Sequence, residues 1–264
     1  MLIICVSAGG SPGVTSTALG VALSWPRGVL LVDCDPHPSQ AVLAGYLRGV
    51  SESGRGLGAL AESYRAQRSD SSGGLLEQTV ALDDGSSPQR RFLPGFTHPR
   101  SALLFSGYWE RLVGQFDDLQ AGGIDVIIDA GRLDADGLPS ALVERASTIA
   151  VVTRSNLPAL ATLRLALPQL ADATALIPAS PGLVVAGGGR PYSAPEIARQ
   201  LEMALLADLP WDPATAAVLS DGAVPPRKLT NRPLWRALRG LALQLGGRPG
   251  VRGRRTTRGR GVIS

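Results

Sequence analysis

The feature that most limits the fold of this chain is an alternation. Short runs rich in β-branched residues and leucine recur at Leu2–Val6, Val29–Val32, Arg91–Leu93, Asp125–Asp129, Thr148–Thr153, Gly182–Ala186 and Leu205–Leu209. Between them apolar residues return at helical spacing, as in Leu157, Leu160, Leu163, Leu167 and Leu170. Strands separated by helices pair most readily in parallel through right-handed crossovers. The pattern therefore predicts a doubly wound α/β domain, with a mostly parallel sheet and helices on both faces. Aromatic residues make up only 5% of the 264, so small aliphatic side chains must fill the core, as helix-covered parallel sheets allow. We expect one domain over 1–245, with the Ser-, Gly- and Asp-rich stretch 51–90 as a mobile insertion around one or two short helices. Residues 246–264 are low-complexity Arg/Gly and are expected to be disordered.

Several classes are excluded at this stage. No run approaches the roughly 18 uninterrupted apolar residues of a membrane span. No basic stretch precedes an apolar one at the N-terminus, so no secretory signal is recognisable and a cytoplasmic protein is expected. Cys5 and Cys34 fall in or beside predicted buried strands and read as reduced core thiols. The tail carries Arg248, Arg252, Arg254, Arg255, Arg258 and Arg260 and no acid; removing these six charges from the formal +4 leaves a body near −2. The chain's basicity thus belongs to its tail. Lys228 is the sole lysine.

Between the first strand and the first helix lies "SAGGSPGVTST", Ser7 to Thr17. Gly9, Gly10 and Gly13 permit tight turns and close approach of backbone to an anion. The N–H groups of Gly13, Val14, Thr15 and Ser16 would open a helix, where phosphate binds. Thr15 falls where a P-loop hydroxyl meets Mg²⁺. Such turns also hold dinucleotides, and Asp33 lies about twenty residues on, where a ribose ligand of an NAD(P) oxidoreductase would be. However, "VLLVDCDPHPSQ" ends a strand with Asp33 and Asp35, and "GIDVIIDAG" ends another with Asp129, where a second P-loop carboxylate approaches Mg²⁺. Asp35 and Asp129 argue against the oxidoreductase. His37, after the turn, reads as an exposed loop residue.

The segment Gly9-Gly10-Ser11-Pro12-Gly13-Val14-Thr15-Ser16 resembles the deviant P-loop of the MinD/ParA ATPases, roughly K-G-G-x-G-K-T-T. The D-x-D-P strand end, the Asp129 strand, "VVTRSNLPAL" and "LPWDPATAAVLSDG" follow in that family's order, so the resemblance runs from about Met1 to Leu245. Within the family, the lysine-poor "GSPGVT" loop and "PWDP" look most similar to the CpaE/TadZ branch of pilus-assembly localisation proteins. The resemblance implies ATP at Gly9, Gly10, Ser11, Gly13, Val14, Thr15 and Ser16. It implies Mg²⁺ near Thr15, Asp33 and Asp129, held directly or through an outer shell, and Asp35 positioning the attacking water in an active enzyme. It also implies nucleotide or partner contacts at Arg154 and Asn156, and a homodimer that positions a secretion or pilus motor, or a division or polar assembly.

The departures set the expected activity. Gly9 and Val14 stand where the family has its signature and Walker lysines, and Pro12 removes one N–H from the cradle. A lysine about 4 Å from a phosphate charge contributes roughly 4 kcal/mol at an effective dielectric of 20. Loss of both should weaken ATP binding and cost more in the transition state, where charge spreads over the transferred phosphoryl. Binding is expected to survive and hydrolysis to fall near background. The rival is an active ParA-like ATPase that partitions DNA, with an arginine such as Arg132 or Arg154 restoring the charge.

The last helix starts at Asn231 and Pro233 and carries Leu234, Trp235, Leu238, Leu241, Ala242 and Leu245 on one stripe. Two uses are open: packing on the sheet, or lying on a membrane. In the second, Trp235, Arg236 and Arg239, helped by tail residues such as Arg254 and Arg255, would meet anionic lipid at the inner face of the cell membrane. The tail would equally hold DNA without sequence preference.

Overall fold

A computed structural model describes residues 1–9, 12–49, 54–66, 72–83, 89–175, 177, 179 and 181–247. Gly10, Ser11, Arg254 and Arg255 of the expected contacts lie outside these residues, as does nearly all of the arginine-rich tail. The chain opens with β1 (Leu2–Ser7), α1 (Val14–Leu23) and β2 (Gly28–Asp33). The stretch read as an insertion contains α2 (Leu57–Arg65), α3 (Ser72–Glu77) and β3 (Val80–Ala81), and ends where β4 (Arg90–Leu93) begins. Then come α4 (Pro99–Leu104), α5 (Trp109–Ala121), β5 (Ile124–Arg132), α6 (Ser140–Arg145), β6 (Thr148–Arg154) and α7 (Leu157–Thr174). The last elements are β7 (Pro181–Ala186), α8 (Ala194–Gln200), β8 (Ala204–Leu209), α9 (Pro213–Ser220) and α10 (Pro233–Gly246).

All seven strands read from the sequence are present, and they form one sheet in the order β3-β4-β2-β5-β1-β6-β7-β8. Every neighbouring pair is parallel except β3 with β4. Two-residue β3 is too short to show a period in sequence. The strand order also decides between the two glycine-loop readings. Dinucleotide-binding sheets set their first two strands side by side. Here β5 separates β1 from β2, which removes the oxidoreductase reading.

Alternate residues of the central strands feed two separate cores. Leu2, Ile4 and Val6 of β1, with Leu30 and Val32 of β2, face the layer of α2, α3 and α5 to α8. Ile3 and Cys5, with Val29 and Leu31, face α1, α9 and α10. Both cysteines are buried and unbridged, as expected. The 51–90 stretch is not simply appended to this frame: Leu57, Leu60, Tyr64 and Leu75 belong to the first core, and β3 extends the sheet. Ser and Gly content there disguised a few well-spaced apolar anchors.

The apolar stripe of the last helix is likewise used in packing. Leu238, Leu241, Ala242 and Leu245 are at most 2% exposed, and Trp235 packs partly buried against the same core. Turning this stripe to lipid would leave the α1 and β8 surface beneath it without its apolar cover. Arg236 and Arg239 remain on the exposed side. The helix cap falls on Arg232 rather than Asn231, which closes the preceding 3₁₀ turn. Among the described residues no helix is long and apolar enough to cross a membrane.

Candidate functional site

The site forms at the carboxyl ends of β1, β2 and β5, where the strand order places the glycine loop beside two acidic strand ends. Gly13 turns the chain into α1 with φ of 92°, a left-handed conformation that favours glycine. Among the described residues no side chain caps α1. Its first-turn N–H groups, which have no partner within the helix, border a hollow of about 410 Å³ lined by Pro12 to Ser16, Asp35 and Arg132. Val14 is only 6% exposed and packs in the core, so its side chain makes an apolar contact rather than facing the hollow. Gly9 approaches α7, where an added Cβ would stand 3.0 Å from the Thr162 methyl.

The acids converge as the sequence implied. Asp33 and Asp129 lie directly opposite each other on neighbouring strands. Asp129 accepts the Gly131 N–H at 3.0 Å, and Thr15 beside it favours the ionised carboxylate. Asp33 accepts the Asp35 N–H at 3.1 Å, and Asp35 accepts the His37 N–H at 2.8 Å. His37 is exposed, with Nδ1 3.5 Å from the Asp35 carboxylate. Burial pushes Asp129 up to about 6, with Thr15 and the Gly131 N–H opposing it. Burial, then the charge of Asp129, drives Asp33 well above the usual carboxylate range. Burial raises Asp35 as well, with His37 and Arg132 opposing it. The Cys34 thiol, buried among these acids, is raised and unreactive.

Among the described residues no three or more His, Cys, Asp or Glu side chains are grouped to hold a metal alone. The donor set is instead one hydroxyl, Thr15, with one carboxylate, Asp129, beside it. That suits Mg²⁺, which keeps most of its waters and is completed by phosphate oxygens, and does not suit an all-protein cage.

A second hollow, about 500 Å³, shares Pro12, Gly13 and Ser16 with the first and extends under α9 toward α10. Arg154 and Trp211 line it. Trp211 is 57% exposed, and the Arg190 guanidinium lies 5.7 Å from its ring centroid. Asp212 fixes this wall: its carboxylate caps α9 through the Thr215 N–H and pairs with Arg232, which holds it at about 2. Asn156 lies beside Arg154 and has a second use. Its side-chain oxygen accepts the Ala159 N–H at 3.1 Å and caps α7, while the residue also lines a small hollow with Arg154, Arg190 and Trp211. Sequence reasoning passed over Arg190 and Trp211 as site residues; the signal available was a tryptophan placed immediately after a strand-ending Leu-Pro.

No family model and no curated protein matches this sequence. Solved structures do. A ParA family ATPase from Chlorobium tepidum TLS is 16% identical with a TM-score of 0.71, over 92% of this chain and 98% of that one. The fold is that of the ParA and MinD ATPases. The MinD of the Aquifex aeolicus MinC:MinD cell division complex is 14% identical with a TM-score of 0.69, covering 94% and 96%. The septum site-determining protein MinD of Pyrococcus horikoshii OT3, solved with Mg-ADP, is 21% identical with a TM-score of 0.63, covering 93% and 96%. The ParA/MinD fold accounts for the placement of loop, acids and both hollows at one edge of the sheet.

Proposed function

We propose that this protein binds ATP–Mg²⁺ as a switch ligand and positions a cellular assembly, with ATP hydrolysis near background. The observation that carries this reading is the hollow over the lysine-free start of α1, lined by Gly13 to Ser16 and Asp35, beside the paired Asp33 and Asp129 strand ends. The phosphates would lie over the first turn of α1, and the nucleoside would occupy the hollow by Arg154 and Trp211. Magnesium, near Thr15 with Asp129 and Asp33 behind it, supplies the positive charge that the buried carboxylates and phosphates need. The Mg-ADP bound by the Pyrococcus horikoshii protein supports the choice of ligand. Asp35 would orient water, but with Gly9 and Val14 in place of lysines little stabilises charge on a departing phosphoryl group.

The lysine-free "GSPGVT" loop and "PWDP" turn support a Tad-type pilus or another polar assembly as the cargo, acting through a homodimer. Pilus-motor genes beside this one would favour that cargo, and a gene for a centromere-binding partner would favour DNA partition. The binding test is calorimetric titration with ATP and Mg²⁺. A Kd between micromolar and millimolar is expected, weakened by Thr15→Ala, with phosphate release near background. Absence of heat at millimolar nucleotide would overturn the reading.

A further inference from the structure

The loop has lost both lysine charges, yet a cation stands at its edge. Strand β5 does not stop at Asp129. It continues to Arg132, and its pairing with β1 slips on the way: Cys5 lies opposite Asp129, whereas Ser7 lies opposite Arg132. The extra residue is a bulge, a device that re-aims a side chain beside a site. Gly131 makes it possible with φ of 61°, and any Cβ there would fall 2.1 Å from the Asp35 carboxyl carbon. The Leu133 N–H donates to the Ser7 carbonyl at 2.7 Å, tying the end of the bulge to the start of the loop.

Arg132 is thereby held where β1 enters the loop. It is exposed and borders the smaller hollow together with Gly13, Thr15 and Ser16. It forms no salt bridge among the described residues. Its charge acts on Asp35 and favours the ionised carboxylate. The nucleoside hollow shares the α1 end of the loop but does not reach Arg132. A phosphate chain starting in that hollow and crossing the first turn of α1 would bring its far end to Arg132.

We propose that Arg132 replaces the missing lysines as the ligand of the terminal phosphate, and so makes the site prefer a nucleoside triphosphate to a diphosphate. The proposal rests on the nucleotide reading above. A guanidinium suits the task, since its fork matches two phosphate oxygens. A contact made equally before and during reaction tightens binding without speeding turnover. Arg132 therefore serves a protein that senses which nucleotide is bound and has little need to hydrolyse it.

The test is calorimetry of the full-length protein with Mg-ATP and with Mg-ADP, in the wild type, Arg132→Gln and Arg132→Lys. The glutamine variant should lose about tenfold or more in ATP affinity, as expected for a charge-assisted hydrogen bond, while ADP affinity changes less than about twofold. The lysine variant should keep most of the preference for ATP. Equal loss for both nucleotides, or no loss, overturns the role of Arg132 and leaves the nucleotide reading standing. So does a lysine variant as unselective as the glutamine one. No heat from either nucleotide with the wild type overturns both.

Discussion

Asp125 and Asp129 share strand β5 and lie at opposite ends of the sheet, 5% and 2% exposed. Asp125 is saturated with donors. The Met1 ammonium is 2.6 Å away, the Trp25 indole N–H 2.9 Å and the Arg27 guanidinium 2.6 Å. Burial pushes its carboxyl up, but these partners outweigh it and hold the group below its ordinary range. Among the described residues Asp129 accepts the Gly131 N–H and has Thr15 beside it, and burial carries it to about 6. The same residue type on the same strand is thus used in two ways. One charge is neutralised within the chain; the other is not, which fits the cation proposed for that end. Perturbed acids of the second kind mark sites rather than supports.

The sharpest way to break this contrast is to remove Asp125. Asp125→Ala leaves the Met1 ammonium, the Trp25 N–H and Arg27 without their acceptor, at a cost of about 3–5 kcal/mol in unfolding free energy. Urea denaturation at neutral pH measures it. A loss below about 1 kcal/mol would mean that water replaces the carboxylate and that the two ends of β5 do not differ in kind.

The opposite sign is expected at the other end. Because the folded-state value of Asp129 is raised, from 3.8 to about 6, its charged form destabilises the ligand-free fold. That penalty is absent below pH 4, grows as pH rises toward 6, and is constant above. Asp129→Asn should therefore stabilise the ligand-free protein by about 1–2 kcal/mol at pH 8 and leave it unchanged at pH 4. The same variant should abolish the thermal shift given by Mg-ATP. A smaller effect follows for the wild type: Mg-ATP should raise Tm more at pH 8 than at pH 5, where Asp129 is protonated. Denaturant curves and thermal scans over pH check both, and a destabilised Asn variant at pH 8 would remove the argument for a reserved charge.

Much of this arrangement was legible in sequence because its signals are local. A strand, a glycine turn and a helix lie within one short window, and each acid follows directly on an apolar run. The sheet order was not legible, since both glycine-loop readings fit the same alternation and only β5 lying between β1 and β2 separates them. What sequence concealed depends on distant pairing. The bulge that turns Arg132 toward the loop exists only because β1 and β5 slip against each other. The cap that Asn156 forms on α7 was equally hidden, because a polar side chain after a strand has two uses. The stripe on α10 fits lipid and core equally well on paper; the complementary surface of α1 and β8 decides it. Asp125 attracted no notice, because its partners Met1, Trp25 and Arg27 come from remote parts of the chain.

The smallest effect expected belongs to the Asp125 end of the sheet. There Arg27 reaches past Asp125 to the Gly246 carbonyl at 2.8 Å, which joins the end of α10 to the same network. Gly246 packs beside Pro26 and Trp25, and the Gly247 N–H closes the helix on Leu243. A truncation after Gly247 spares every one of these contacts and removes six arginines. Unfolding free energy should then shift by less than about 0.5 kcal/mol, as for a surface change away from any buried partner. Binding to anionic vesicles or to DNA should weaken instead, most at low salt, since each arginine near an anionic membrane is worth about 1 kcal/mol and salt screens it. Co-sedimentation of the full-length and shortened proteins over a salt series reads this out. A large stability loss would show that the Asp125 network extends beyond Gly247. Equal sedimentation of both forms would move the polyanion contact onto the folded domain, where Arg236 and Arg239 on the exposed side of α10 become the next residues to change.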